Sequence, residues 1–179
     1  MRQEFAGWGE AVSEVQIKPA AGEHLPAIQE LATIIWHSHY PGIISADQID
    51  YMLGRMYSLA TLRAEIETQA IRYERLLIDD RLVGFAAFGP TAEPEDWKLH
   101  KLYLLPEQHR RGLGSQLLRH CETQARSFGA RRLLLNVNKR NTKAIAAYQR
   151  NGYTFSASVQ LDIGNGFVMD DFVMTKSLS

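Results

Sequence analysis

Apolar positions along this chain change their spacing from one segment to the next, and the changes mark out its elements. Between His24 and Tyr40, the residues Leu25, Ile28, Leu31, Ile34 and Ile35 recur three and four apart, the spacing of one helix face. Pro41-Gly42 ends that helix. Ser45 followed by Gln48 is a capping-box signature, so a second helix begins at Ala46 and runs to about Leu59, with Thr61 to Gln69 adding another helical segment. The period then shortens. Val15 to Lys18 alternates, and Arg72 to Ile78 and Leu82 to Phe88 flank Asp79-Asp80-Arg81 as a hairpin. Trp97 to Leu105 is a strand stopped by Pro106, and Gly112 to Phe128 is a helix ended by Gly129. Arg132 to Val137 carries the unbroken run Leu133-Leu134-Leu135 and reads as a central strand buried on both faces. Asn141 to Arg150 is a helix closed by Asn151-Gly152, and Tyr153 to Ile163 and Phe167 to Lys176 flank Gly164-Asn165-Gly166 as a second hairpin. This order predicts an α/β fold: a mixed sheet with helices on both faces. Residues 1–14 read as a flexible lead-in, and 15–179 as one domain.

Composition narrows the partners more than the fold. Twenty basic and twenty acidic residues leave a formal net charge of zero, which argues against nucleic acid or an anionic membrane as the main partner. No apolar run approaches the ~20 residues of a membrane span, and the N-terminus lacks the apolar core of a signal peptide. Cys121 is the one cysteine, so no intrachain disulfide forms and a cytoplasmic setting is expected. Its place in a helical pattern makes it a small buried hydrophobe rather than a nucleophile. No cluster suggests a metal, and a homodimer is compatible with the sequence.

The candidate chemistry starts at Gln108-His109-Arg110-Arg111-Gly112-Leu113-Gly114-Ser115, between a strand and a helix. A glycine-rich turn at a helix N-terminus aims unpaired N–H groups and the positive dipole end at one point, a site for phosphate. Glycines admit the anion close to the backbone, and Arg110 and Arg111 add charge. Two nucleotide readings fit poorly. A P-loop needs Lys after its second glycine, where Ser115 stands, and a dinucleotide fingerprint needs a third glycine where Leu117 stands.

These residues, together with Leu102-Tyr103-Leu104-Leu105-Pro106-Glu107, Leu135-Asn136-Val137-Asn138, Asn141 to Tyr148 and Asn151-Gly152-Tyr153, resemble the GNAT superfamily of N-acetyltransferases over roughly 72–176. Trp36 to Met52 and Gly166 to Phe172 are similar to a bacterial subgroup resembling diamine acetyltransferases. The resemblance implies a largely antiparallel seven-stranded sheet with a V-shaped splay between the strands at 97–105 and 132–137. It implies acetyl-CoA as co-substrate and acetyl transfer to a small-molecule amine (polyamine-like or other) or a peptide amine by direct attack in a ternary complex. A non-catalytic acetyl-CoA-binding module is the alternative. Carried over by position, the backbone of Leu102, Tyr103 and Leu104 binds pantetheine, and the loop Arg110, Arg111, Gly112, Leu113, Gly114 and Ser115 binds pyrophosphate. A backbone N–H near Leu104 polarises the thioester carbonyl. Asn141 lies near the cofactor, and Tyr148 protonates the departing thiolate. His109 stands where the family has Gln or Arg, which leaves an extra phosphate contact to Gln108 or His109.

Where relatives carry a basic glutamate, this chain has His100 on one strand and Asn136 on the other. Asn136 cannot accept a proton; His100, with an ordinary pKa near ~6.5, can. Simple alternation sets His100 on one strand face with Leu102 and Leu104. Trp36, His39 and Tyr40 end the first helix and are expected to wall the acceptor pocket, with Asp170 and Asp171 available to attract a cationic amine.

Overall fold

The computed structural model describes residues 13–68 and 70–178. Two tight turns set its registers. The strands Arg72–Ile78 (β2) and Arg81–Pro90 (β3) are joined by Asp79 and Asp80 alone, both left-handed at φ +48° and +60°. Thr154–Gly164 (β6) and Phe167–Ser177 (β7) are joined by Asn165-Gly166, at φ +55° and +76°. Two consecutive left-handed residues match the right-handed twist of the flanking strands. Both hairpins thus use a two-residue turn, one residue shorter than each predicted three-residue linker. The expected lead-in falls almost wholly outside the described residues; at its end, Glu14 already meets the β2–β3 turn, its N–H donating to the Asp79 carboxylate and its carbonyl accepting the Asp79 N–H.

With Val15–Pro19 (β1), Asp96–Leu104 (β4) and Arg132–Asn138 (β5), these strands form one seven-stranded sheet in the order β1-β2-β3-β4-β5-β7-β6. Every neighbouring pair is antiparallel except β4 and β5, which run parallel. The helices are Leu25–His39 (α1), Ala46–Met56 (α2), Leu59–Thr68 (α3), Leu113–Ser127 (α4) and Thr142–Arg150 (α5). Ser45 caps α2 by accepting the Gln48 N–H, as the sequence predicts. No described helix is long and apolar enough to cross a membrane.

Helix α4 packs on one face of the sheet. Leu117, Leu118, Cys121 and Ala125 are buried there, and Phe128 stacks on Trp97 of β4 with ring centroids 5.5 Å apart. Helix α5 lies on the same side, beside Phe172 and Met174 of β7. Helices α1 to α3 cover the other face over β2 to β4, where Trp36, Tyr57, Phe85 and Tyr103 pack ring against ring. Strand β5 corrects one expectation. Leu133, Leu135 and Val137 are buried, but Leu134, Asn136 and Asn138 are only half-buried. Helices close over β5 from the α4 side, while α1 to α3 cover chiefly the half-sheet of β2 to β4. The uncovered strip of β5 and β7 is the floor of a cleft.

One charge lies deep in the core. Lys101 of β4 is 3% exposed; its Nζ reaches Glu65 of α3 at 2.5 Å and the Tyr73 hydroxyl at 2.7 Å. Tyr73 in turn donates to the same Glu65 carboxylate. An ammonium in such a place is tolerated only with its counter-ion, and breaking a buried pair from one side costs about 3–5 kcal/mol. Glu65→Ala should therefore destabilise the protein by about 3 kcal/mol in urea denaturation, and adding Lys101→Met should recover much of the loss. A single mutant as stable as wild type would show that the pair does not matter.

Candidate active site

The centre of the molecule is a place where the sheet comes apart. Strands β4 and β5 pair only from Asp96↔Arg132 to Leu99↔Leu135. Beyond Leu99 they diverge, as the family resemblance implies. The break coincides with a bulge: Phe88 of β3 pairs with Leu99 and Ala87 pairs with Lys101, so His100 has no partner. An extra residue in one strand bends it and breaks the alternation of its side chains. Leu99 and Lys101 are buried on either side of exposed His100. His100 therefore does not follow the simple alternation that would group it with Leu102 and Leu104.

Past the bulge the antiparallel ladder with β3 is regular again. Leu105 N–H donates to the Val83 carbonyl at 2.9 Å. Backbone groups of successive residues point to opposite strand edges, and those of alternate residues to the same edge. Those of Tyr103 therefore turn toward β3, and those of Leu102 and Leu104 toward the gap. Of the three residues expected to offer backbone to a ligand, Leu102 and Leu104 turn theirs to the gap. Tyr103 instead contributes its ring to the aromatic cluster, its hydroxyl 3.2 Å from that of Tyr40.

The loop after β4 builds an anion-sized hollow. Arg110 and Gly112 are left-handed at φ +63° and +77°, on either side of Arg111. Alternating handedness of this kind turns successive N–H groups inward as a nest, and α4 begins at once, adding the unpaired N–H groups of its first turn. A methyl group added at Gly112 would meet nothing within 4 Å, and one at Gly114 only Leu104 Cδ1 at 3.9 Å. The space in front of both glycines is open for a ligand. Leu113 is buried beneath them, and Ser115 Oγ accepts from Asn151 Nδ2 at 3.0 Å, tying the start of α4 to the end of α5. The two side chains considered for an extra phosphate contact are engaged elsewhere: Gln108 accepts from Arg111, and His109 Nε2 lies 3.2 Å from the Leu104 carbonyl. That bond requires the proton on Nε2.

Around the gap stand Tyr40, Tyr103 and Tyr148; Tyr148 lies near enough to disfavour ionisation of both others, and Tyr103 that of Tyr40. Burial pushes all three phenols up, Tyr148 to about 12, so all are protonated at neutral pH. Tyr148 packs edge-on against Tyr153 with centroids 5.7 Å apart, and its hydroxyl makes no hydrogen bond among the described residues. Asn141 caps α5 through the Ala144 N–H at 3.3 Å and approaches His39 Nε2 with Nδ2 at 3.0 Å. Its amide is thus a brace between α1 and α5. Burial is the largest cause lowering the pKa of His39, and a neutral ring with Nε2 as acceptor fits the contact. Arg140 fastens the loop after α1 by donating to the Gly42 and Ile43 carbonyls, both at 2.7 Å.

Three expectations change here. Trp36, expected on the acceptor wall, is 2% exposed and lies beneath Tyr40 with centroids 4.4 Å apart, so it supports the wall from behind. Asp170 pairs with Lys139, which sits over the Phe172 ring on the α5 side; in a strand its neighbour Asp171 must face the other way. Asp171 is 3% exposed, accepts from Asn136, and feels Lys98. His100 keeps an exposed edge at the rim, yet desolvation of the rest of its ring first, then Lys98 and Lys101, lowers its pKa to about 4. Lys98 was not singled out by the sequence, because a lysine in a strand carries no local signal.

Comparison with known proteins agrees with this geometry. Residues 29–153 match the acetyltransferase (GNAT) family. The chain is 27% identical over 160 residues to a spermidine N(1)-acetyltransferase of Thermoplasma acidophilum, a match covering 87% of this chain and 96% of that protein. A streptothricin acetyltransferase of Streptomyces lavendulae is 36% identical over 77 residues, 43% of this chain and 41% of that one. Among solved structures, the PaiA N-acetyltransferase of Thermoplasma acidophilum in complex with coenzyme A superposes with a TM-score of 0.77 at 26% identity, covering 92% of this chain and 99% of that chain.

The two loop glycines serve different ends, and substitution separates them. Gly112→Ala places a Cβ on a left-handed residue and should cost about 1 kcal/mol in urea denaturation. Gly114→Ala meets no such strain and should leave stability within about 0.5 kcal/mol. Equal losses would show that the loop's conformation makes no special demand at Gly112.

Proposed function

This chain belongs to the acetyltransferase (GNAT) family, and from that premise we propose that it moves the acetyl group of acetyl-CoA directly onto the amine of a small acceptor within a ternary complex. The observation that carries the proposal is the parting of β4 from β5 after Leu99, with free backbone groups on one side and the Tyr148 hydroxyl unengaged nearby. The coenzyme A complex of a similar acetyltransferase supports the choice of donor, and a similar spermidine N(1)-acetyltransferase supports an amine acceptor.

Acetyl-CoA supplies the acetyl group as a thioester. The nest at 110–115 and the first turn of α4 hold its pyrophosphate through backbone N–H groups. Leu102 and Leu104 complete their backbone bonding on the pantetheine arm, and an N–H of this pair polarises the thioester carbonyl. The acceptor nitrogen bonds to the carbonyl carbon, and the C–S bond breaks with its electrons on sulfur. The proton lost by nitrogen ends on that sulfur, so the reaction is proton-neutral. Tyr148, near 12, is a weaker acid than a thiol near ~8.5 by about three units. Its part is to donate a hydrogen bond as sulfur gains charge and to pass the proton on, not to lose it outright. His100 is a poor base: a group near 4 is neutral at pH 7 but takes little from an ammonium. The amine therefore reacts in its neutral form.

Two outcomes are expected. CoA should raise the melting temperature, and Gly112→Asp with Gly114→Asp should abolish the shift by placing carboxylates where the pyrophosphate sits; a folded double mutant with unchanged CoA affinity would refute the donor site. In thiol-release assays with amine acceptors, Tyr148→Phe should lower kcat ~10²-fold with CoA binding nearly intact. In the same assays kcat/KM should rise with pH as the acceptor deprotonates, and His100→Ala should keep the shape of that profile between about pH 6 and 9. An inflection near ~6.5 that disappears in His100→Ala would restore His100 as the base. CoA binding without thiol release from any amine would leave only a binding module.

A further inference from the structure

The floor of the cleft carries two opposite charges, neither of which is satisfied by a direct ion pair. Asp171, on β7, is 3% exposed and shares its face of the sheet with Asn138, its register partner on β5. Its hydrogen bond comes from Asn136, a neutral amide, and Tyr40 lies near enough to sense its charge. Lys98 lies on β4, one residue before the last β4–β5 pair, and is half-buried. Trp97 and Leu99 on either side point to the α4 core, so Lys98 points to the cleft. It makes no hydrogen bond and no ion pair within 4.0 Å among the described residues, although it interacts with Asp171 across the cleft. Two groups of opposite sign thus share one face of the sheet without touching.

The remaining charges nearby do not complete either one. Lys101 of the same strand is paired with Glu65 and Arg140 is bonded to the loop after α1, while Lys139 is paired with Asp170 and reaches Asp171 only as a weaker influence behind Lys98. His100 and His39 are held neutral by their surroundings. The floor therefore presents one negative and one positive charge, where a pocket built for a polycation would present carboxylates alone. A dication entering here gains one partner and meets a repelling ammonium, and discrimination by such a clash is as effective as an added contact.

We infer that Lys98 and Asp171 select an acceptor that carries a carboxylate beside its amine, that is, an amino acid or a similarly zwitterionic small molecule. Asp171 binds the acceptor nitrogen, and Lys98 binds the carboxylate. A single ammonium suits a carboxylate better than a phosphate, which calls for several donors. Desolvation acts on both floor groups in the free protein, raising the pKa of Asp171 and lowering that of Lys98, and a bound zwitterion relieves both. The inference rests on the acetyl-transfer reading of the same cleft and adds the class of acceptor to it.

The test is a set of matched acceptors: several amino acids, each paired with the amine that remains when its carboxylate is removed, plus spermidine. Thiol release is followed with acetyl-CoA and the full chain. The wild type should prefer each amino acid over its decarboxylated partner by at least ~10-fold in kcat/KM, mostly through KM, a discrimination of about 1.4 kcal/mol. Lys98→Met should bring that ratio toward one, Lys98→Arg should keep it above one, and Asp171→Asn should weaken both members of a pair. Equal or better use of the decarboxylated amines or of spermidine by the wild type would overturn the inference while acetyl transfer stood. Thiol release with no acceptor, despite CoA binding, would overturn the acetyl-transfer reading and this inference together. A wild-type preference that Lys98→Met leaves unchanged, in a folded variant, would also overturn it.

Discussion

Everything in this molecule depends on a pair of strands that stop pairing. A backbone N–H or C=O withdrawn from water without a partner costs on the order of a few kcal/mol, so a sheet does not open in its middle without compensation. Here the opening begins at Leu99 and Leu135, next to the unpaired His100 of the bulge. His109 occupies the Leu104 carbonyl, and the other freed groups of Leu102 and Leu104 face the cleft. The same parallel pair is what makes the opening possible. Its two strands are linked through the turn at 110–112 and the whole of α4, so the β4–β5 connection delivers a helix N-terminus, the kind of end that suits an anion, to one end of the gap.

The two faces of the sheet share the work unequally. On one, α4 and α5 bury a continuous apolar layer through Leu117, Leu118, Leu133 and Leu135, and this layer holds the diverging strands in place. On the other, α1 to α3 cover only part of the sheet and build a polar and aromatic interior. Lys101, Glu65 and Tyr73 form a closed set of partners there, while Trp36, Tyr57, Phe85 and Tyr103 pack behind Tyr40. A rigid aromatic wall backed by a satisfied ion pair suits the positioning of an acceptor, because acceleration by proximity is lost when the wall yields by about 1 Å. Two braces cross the cleft to the same end: Asn141 to His39, and Arg140 to the carbonyls of Gly42 and Ile43.

Electrostatically the gap is quiet. Its tyrosines stay protonated, its histidines neutral, and most of its charges are spent on one another. In such surroundings any uncompensated charge acts at higher strength than it would in water. This is the physical ground on which two groups, Asp171 and Lys98, carry the proposed choice of acceptor.

The elements themselves were legible in the chain. Helical spacing marked α1, Ser45 and Gln48 marked the start of α2, and Gly164-Asn165-Gly166 marked the last hairpin to within one residue, because each depends on neighbours within a few residues. The glycine loop was legible for the same reason: the left-handed Gly112 and the helix that follows are local conformations. The diverging strands were reached through family resemblance, since no residue pattern announces where a ladder stops. Only the tertiary structure decided that β5 buries one face, that Asp171 and not Asp170 looks into the cleft, that Trp36 stands behind Tyr40, and that His109 is held by Leu104. Each of these turns on which element covers a strand or which residue falls at a bulge. A side chain's direction in a sheet has period two, so one unpaired residue at His100, or one uncovered strip beside β5, reverses what alternation alone would assign.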